Sequence, residues 1–254
     1  MAQENCPLCQ DTGWVLNDVE GRTLAKRCRC FVQRQNQVMF EQANIPQRYK
    51  SCTFDNFETH NTSHRDALKI SKRFVKNYPV QEIGLLFQGP CGVGKTHLAA
   101  AIINDLIWKK SVPCYFFDFR ELIRSIQNSY SSDSPMTESE VLAPVFGKKV
   151  LVLDELGAKR TTPWVEETVF YIINHRYNNQ QLTVFTSNFI DQEEEEEDRR
   201  DPLFKKDGFH QKGGDTLVDR IGVRLRSRIY EMCKIVNLWG EDYRKRVKQA
   251  GYRF

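Results

Sequence analysis

The chain has 254 residues, of which 40% are hydrophobic and 28% are charged. These values suit one soluble α/β domain with a small appendage and an ordinary hydrophobic core. No apolar run reaches the roughly 18 residues of a membrane-spanning helix, and the first residues lack the basic and apolar regions of a signal peptide. We therefore expect a cytoplasmic protein, and the net charge of +4 is too small to indicate a nucleic-acid partner on its own.

Half of the eight cysteines lie near the N-terminus, in a C-x₂-C pair followed by a C-x-C pair: Cys6, Cys9, Cys28 and Cys30. A short β-hairpin between the pairs, with its turn at residues 17–21, would bring the four thiolates around one Zn²⁺ ion. Disulfides are an alternative that a reducing cytoplasm disfavours, and four unrelated thiols are a third interpretation. We expect residues 1–44 to form a structural zinc-binding module that ends in a linker helix and docks a partner.

The chain from residue 45 onwards is predicted to form the second domain, residues 45–254. The remaining cysteines are scattered singly and should pack as small apolar residues: Cys52, Cys91, Cys114 and Cys233. His60 and His64 flank the start of a predicted helix over residues 61–75. We expect both imidazoles to be solvated rather than metal-bound, because no cluster of further ligands accompanies them.

A glycine-rich motif follows an apolar strand predicted over residues 83–87. It matches G-x-x-x-x-G-K-[ST] at every required position: Gly89, Pro90, Cys91, Gly92, Val93, Gly94, Lys95 and Thr96. An apolar-faced helix is predicted to begin directly after it. Strand, loop and helix N-terminus together form the phosphate-binding P-loop, in which Lys95 reaches the β- and γ-phosphates and the Thr96 hydroxyl binds Mg²⁺. The motif therefore predicts a nucleoside-triphosphate site.

A second apolar strand, residues 150–154, ends in two carboxylates, Asp154 and Glu155. The motif is typical of Walker B, so Asp154 is predicted to bind Mg²⁺ and Glu155 to activate the attacking water. Another strand is predicted over residues 112–119, between the P-loop and this motif in the chain. Two acids that merely end a strand are the alternative.

The C-terminal part is predicted to continue with a helix over residues 163–177 and a strand over residues 182–188. Residues 191–215 contain an acidic run and are expected to form a solvated loop, with a regulatory insertion as the alternative. One basic amphipathic helix is predicted over residues 219–230, followed by a strand at residues 233–238. Its arginines are either a solvated face or groups that reach a phosphate.

These motifs resemble the AAA+ ATPases of the DnaC/DnaI helicase-loader group. The resemblance implies a P-loop NTPase of the ASCE branch, with helices on both faces of a parallel sheet, and extends the nucleotide-binding set to His97. It further implies an ATP site completed between subunits of a ring or open spiral. The resemblance implies that Asn188 occupies the sensor 1 position and Arg244 the sensor 2 position. It also implies that Arg228 is the arginine finger, with Arg224 as the second candidate.

The resemblance implies a loader that binds the replicative helicase, places it on single-stranded DNA and is released when ATP is hydrolysed. Arg120 and Arg124 are candidate DNA contacts. A second hypothesis is an IstB-like transposition helper acting on duplex DNA, against which the cysteine module argues. A third is an ATP-gated adaptor with little hydrolysis, against which the intact Lys95, Asp154 and Glu155 argue.

Overall fold

The computed structural model describes residues 6–19, 22–80, 82–158, 162–190 and 216–246. The strands are β1 (Trp14–Val19), β2 (Arg22–Arg27), β3 (Gly84–Gln88), β4 (Cys114–Asp118), β5 (Val150–Asp154), β6 (Leu182–Ser187) and β7 (Cys233–Asn237). The helices are α1 (Arg29–Gln42), α2 (Thr62–Asn77), α3 (Lys95–Lys110), α4 (Phe119–Ser129), α5 (Glu138–Gly147), α6 (Pro163–Asn178), α7 (Leu217–Ile221), α8 (Val223–Met232) and α9 (Tyr243–Arg246). None of the helices in these ranges is long and apolar enough to cross a membrane.

Five strands form one parallel sheet in the order β4-β5-β6-β3-β7. Strand β3 precedes the P-loop and strand β5 ends in Asp154. Strand β6 lies between these two strands in the sheet. Because all the strands run in the same direction, their carboxyl ends meet at a single edge. We call the carboxyl ends of β3, β5 and β6, with the P-loop, the P-loop edge.

Alternating side chains of each central strand enter two hydrophobic cores, one on each face of the sheet. In β3, Leu85 and Phe87 join the core that packs against α2 and α3. Leu86 joins the opposite core, under α4, α5, α6 and α8. This alternation follows from the two-residue period of a strand, and burial on both faces explains why these strands are continuously apolar. The doubly covered parallel sheet confirms the predicted fold class.

The N-terminal module consists of an antiparallel hairpin, β1 and β2, followed directly by α1. Helix α1 packs on α3: the Asn36 side-chain amide donates to the Trp108 carbonyl (3.3 Å), and the rings of Phe40 and Trp108 lie 5.7 Å apart. The chain then runs along the exposed edge of the sheet, where the Phe116 amide donates to the Ala43 carbonyl (2.8 Å). The boundary proposed at residue 44 stays a prediction.

Most predicted elements lie where the sequence places them, with one clear exception. The single helix predicted over residues 219–230 is wrong, because the chain breaks at Gly222 into α7 and α8. Gly222 adopts φ +80°, and a β-carbon there would lie 2.3 Å from a Glu166 carboxylate oxygen. A continuous α-helix cannot contain this positive φ. A residue with a side chain at this position would also collide with Glu166. The predicted loop at residues 191–215 lies outside the described residues.

Two predictions about single side chains are also wrong. His64 is buried rather than solvated, with 5% of its surface exposed, because α2 packs it against Phe57 and Gly240. Cys91 is exposed in the P-loop, whereas the other three scattered cysteines are buried as predicted.

Candidate nucleotide and metal sites

The three P-loop glycines lie where no side chain could fit. Each has a positive φ, and a β-carbon would lie 1.9 Å from the Leu238 carbonyl at Gly89 and 1.9 Å from the Asp242 carboxylate at Gly92. At Gly94 it would lie 2.6 Å from the ring of Phe57. The loop is thus packed closely against the segment after β7 as well as the segment before α2. Its compact shape leaves backbone amides free to surround an anion at the start of α3.

Lys95 is the first residue of α3 and its side chain is 6% exposed. Its ammonium group donates to the loop carbonyls of Gly89 (2.7 Å) and Pro90 (2.6 Å). Burial lowers the pKa of Lys95 to about 8, and the positive charge of Arg244 acts in the same direction. The sensor 2 role of Arg244 stays a prediction.

Asp154 lies at the end of β5, nearly buried, with one carboxylate oxygen held by two hydroxyls. Thr96 donates to this oxygen at 2.9 Å and Thr186 at 2.5 Å. Burial raises the pKa of Asp154 to about 6, although both hydroxyl bonds oppose this shift. The structure therefore brings together Thr96 and Asp154, the two groups predicted to bind Mg²⁺.

Glu155 follows Asp154 with a left-handed backbone, φ +57°. Its amide donates to the Thr186 hydroxyl (2.9 Å), so a single threonine of β6 positions both acidic residues. The Glu155 carboxylate forms an ion pair with Arg120 at the start of α4, and this pair is partly exposed. Arg120, predicted as a DNA contact, thus lies against the carboxylate predicted to activate water.

The residues at the P-loop edge fit a magnesium–triphosphate group. Among the described residues, the hydrogen-bond partners of the buried Lys95 ammonium are two loop carbonyls, which a phosphate could replace with a gain in charge compensation. The adjacent hydroxyl and carboxylate supply the oxygen ligands that Mg²⁺ prefers. Asn188 follows β6 directly, between the strands that carry the P-loop and Asp154. His97, two residues into α3, bonds the Thr53 carbonyl (2.9 Å) and lies over the edge of Phe57.

Arg224 and Arg228 lie on α8 and pack on α6 against the same ring. Their guanidinium carbons lie 4.2 Å and 4.5 Å from the Phe170 centroid. Arg228 donates to Asn174 (2.9 Å) and is partly buried, whereas Arg224 forms an exposed ion pair with Glu167 (3.3 Å). Which of the two arginines acts as the finger stays a prediction.

The four N-terminal cysteines converge, with all their sulfur atoms within 4.8 Å of one another. Cys6 and Cys28 sulfurs are 3.7 Å apart, and those of Cys9 and Cys30 are 3.3 Å apart. A tetrahedral site with Zn–S distances of ~2.3 Å needs sulfurs about 3.8 Å apart. All four cysteines are free, so the disulfide interpretation does not hold.

The thiols of the cluster differ in acidity, and backbone hydrogen bonds from Leu8 and Cys9 lower the pKa of Cys6 to about 7. The bond from Cys9 raises the pKa of Cys30 to about 12, because crowded sulfurs resist deprotonation. The donor set, four thiols with no oxygen ligand, is typical of structural zinc. Helix α1 begins between two of the ligands, since Cys28 precedes it and Cys30 lies in its first turn.

A family model described as IstB-like ATP binding protein matches residues 2–199. The chain belongs to the IstB-like ATP-binding family. The family assignment agrees with the P-loop edge, and it places the cysteine module within the matched segment.

Several relatives of this IstB-like chain are named replicative helicase loaders. It is 29% identical to DnaC of Buchnera aphidicola (subsp. Acyrthosiphon pisum) over 61% of this chain and 65% of that protein. It is also 29% identical to DnaI of Bacillus subtilis, over 84% of this chain and 62% of that protein. The chain thus spans slightly less than two thirds of either relative. A crystal structure of the DnaC helicase loader is 32% identical, with a TM-score of 0.62, and covers 76% of this chain and 100% of that one.

Two contacts beside the nucleotide site were not predicted from the sequence. Thr186 anchors both acids, and its signal in the sequence is a polar side chain near the end of an apolar strand. Arg120 was predicted as a candidate DNA contact, not as the partner of Glu155. Its contact with Glu155 depends on β4 pairing with β5 in register, Asp118 opposite Asp154, which no local pattern reveals.

Proposed function

We propose that this chain is an ATP-dependent loader of the replicative DNA helicase, which assembles into a ring or open spiral and places the helicase on single-stranded DNA. One combination carries the proposal: the Thr96–Asp154 contact beside Lys95 and the four converging cysteine sulfurs occur in a single chain. The relatives DnaC and DnaI, named as replicative helicase loaders, support the same function.

In this proposal the P-loop edge binds and hydrolyses ATP. Lys95 and the loop amides bind the phosphates, while Thr96 and Asp154 hold Mg²⁺, which neutralises phosphate charge. Glu155 orients and activates the attacking water after it leaves Arg120, and Asn188 contacts the γ-phosphate or that water. Arg224 or Arg228 of a neighbouring subunit acts as the arginine finger, which in related chemistry accelerates hydrolysis by roughly 10³–10⁵-fold.

The cysteine module is proposed to bind one Zn²⁺ and to contact the helicase. Its hairpin exposes apolar side chains, including Trp14 (44%), Leu16 (68%) and Leu24 (55%). Exposed apolar groups on so small a unit favour a docking role over a catalytic one.

The deciding experiment mixes the purified chain with the replicative helicase of its own organism and ATP, and weighs the product by native mass spectrometry. A stoichiometric complex that retains zinc, and does not form when Cys6 and Cys9 are both changed to Ser, supports the loader. If no complex forms with or without ATP, the proposal is wrong.

The family description favours a second candidate, an IstB-like helper that remodels duplex DNA for a transposase. This function predicts ATP-driven oligomers on duplex DNA in the same native mass spectra, without a helicase complex. The Arg120–Glu155 pair favours a third, an adaptor with little hydrolysis, which predicts that Glu155→Gln leaves the rate of phosphate release unchanged.

A further inference from the structure

A basic groove separates the N-terminal module from the end of α3. Its lining includes the end of β2, the first half of α1 and an exposed ring of α3, with Lys26, Arg27, Arg29, Asn36, Gln37 and Trp108 among its residues. Among the described residues that line the groove there is no carboxylate. Arg34 also lines it but already pairs with Asp11 (3.0 Å), so it adds little free charge. The groove lies apart from the P-loop edge, at the opposite end of α3.

Arg27 is arranged to bind an anion. Its guanidinium carbon lies 3.8 Å from the Trp14 ring centroid and 4.0 Å from that of Phe31. The two rings hold the planar group in place and leave its N–H edge for a ligand, which is the geometry that binds phosphate oxygens in pairs.

The start of α1 adds to this attraction. Helix α1 has no side-chain cap and no acidic residue in its first turn, where Arg29 lies. A bound anion would therefore meet both the uncapped helix N-terminus and a cation.

Asn36 supplies a second kind of contact. Its side chain is 3% exposed, and its oxygen has no hydrogen-bond partner. The amide nitrogen donates to the Trp108 carbonyl (3.3 Å), which identifies the other end as the acceptor. The Trp108 ring beside it is 43% exposed. A buried acceptor next to an exposed indole suits a flat heterocycle that donates N–H groups, whereas an acidic peptide needs the cations alone.

We propose that this groove binds a short segment of single-stranded DNA, with phosphates on Lys26, Arg27 and Arg29, one base stacked on Trp108, and its N–H edge directed at Asn36. The inference rests on the proposed function for its choice of nucleic acid. It adds a DNA-binding surface that lies outside the ATPase core, next to the metal ligands that begin α1.

The test measures binding of a fluorescein-labelled oligothymidylate to the full chain by anisotropy over a series of salt concentrations. In the double variant Lys26→Gln/Arg29→Gln, the slope of log affinity against log salt should fall by about 1.4, since each phosphate that is no longer neutralised changes it by ~0.7. Trp108→Leu should weaken binding by about 5- to 100-fold and leave the salt slope unchanged. The matched control is Lys72→Gln/Arg73→Gln, which removes the same charge from exposed positions of α2.

Zinc content and melting temperature, measured for every variant, show whether it is folded, and helicase binding is measured in parallel. Loss of DNA binding in folded groove variants but not in the control supports the groove. Equal losses in groove and control variants overturn it, because only net charge then matters. If the groove variants still bind DNA but no longer bind the helicase, the DNA proposal is also overturned. The groove then binds an acidic protein partner. If the chain binds DNA through the groove but never binds a helicase, the proposed loader function is wrong and the proposed DNA-binding groove still holds.

Discussion

Lys95 and Asp154 are held in place by hydrophobic cores on both faces of a five-stranded sheet, whereas the four N-terminal cysteines belong to a module with almost no core. The apolar residues of the hairpin are largely exposed, and between residues 6 and 36 the buried apolar side chains that the structure describes are those of Cys9 and Cys28. Apolar packing thus builds the P-loop edge, whereas the cysteine module depends on its four thiols and on the metal proposed to join them. The two sites should therefore fail under different treatments.

The largest expected effect is on the cysteine module. Structural Zn²⁺ contributes roughly 10–16 kcal/mol of apparent binding free energy to such units, so Cys6→Ser/Cys9→Ser should lose the metal and unfold β1 and β2. Magnesium–ATP affinity should change little. Metal analysis and hydrogen exchange check both results, with Cys91→Ser as the control for metal content. If the hairpin stays protected from hydrogen exchange without the metal, the module does not depend on zinc for its fold.

The next effect is on chemistry at the P-loop edge. Glu155→Gln keeps the shape of the side chain but removes the base, so hydrolysis should fall by about 10²–10⁴-fold while ATP still binds. Steady-state phosphate release and nucleotide titration separate the two quantities. Glu121→Gln, a similar change on the exposed side of α4, is the control. An unchanged rate would remove Glu155 from the mechanism.

The two buried charged groups at the P-loop edge should make nucleotide binding depend on pH. Burial raises the pKa of Asp154 to about 6, and the carboxylate must be ionised to hold Mg²⁺. Burial lowers the pKa of Lys95 to about 8, and the ammonium must keep its proton to attract phosphate. Affinity should therefore rise with pH through about 6 and fall above about 8, by up to ~tenfold per unit beyond either limit.

Isothermal titration across this range measures that profile. Asp154→Asn should remove the acid limb, and Lys95→Arg should remove the alkaline limb, because a guanidinium stays charged. Zinc binding by the cysteine module should instead strengthen as pH rises through about 8, because the thiols must lose their protons to bind the metal. If Lys95→Arg loses affinity above pH 8 as the unmodified chain does, Lys95 is not the titrating group.

The smallest expected effect comes from the Arg120–Glu155 pair. Partly exposed ion pairs contribute about 0.2–1 kcal/mol, so Arg120→Ala should raise hydrolysis by only ~1.5- to 5-fold as Glu155 is released. Arg124→Ala removes a neighbouring arginine of α4 and is the matched control. A fall in rate with Arg120→Ala would mean that the arginine assists catalysis rather than restraining it.

The sequence was sufficient for the elements whose cause is local. The P-loop follows from glycine spacing, the strands from apolar runs, and the cysteine cluster from paired ligands. It was insufficient wherever the cause lies far along the chain. His64 is buried because the segment after β7 covers it, and Arg120 meets Glu155 through strand register. Gly222 itself is a local signal of a helix break, but its close approach to Glu166 is not. Local periodicity carries no information about these distant neighbours.

Helix α3 connects the P-loop to the N-terminal module. It begins at Lys95 in the nucleotide site, and its 16 residues span about 24 Å to the last turn, where Trp108 touches α1. An α-helix is stiff along its axis, so its two ends keep a fixed separation. The loop that would bind phosphate and the surface that carries the cysteine module are therefore joined by one continuous element.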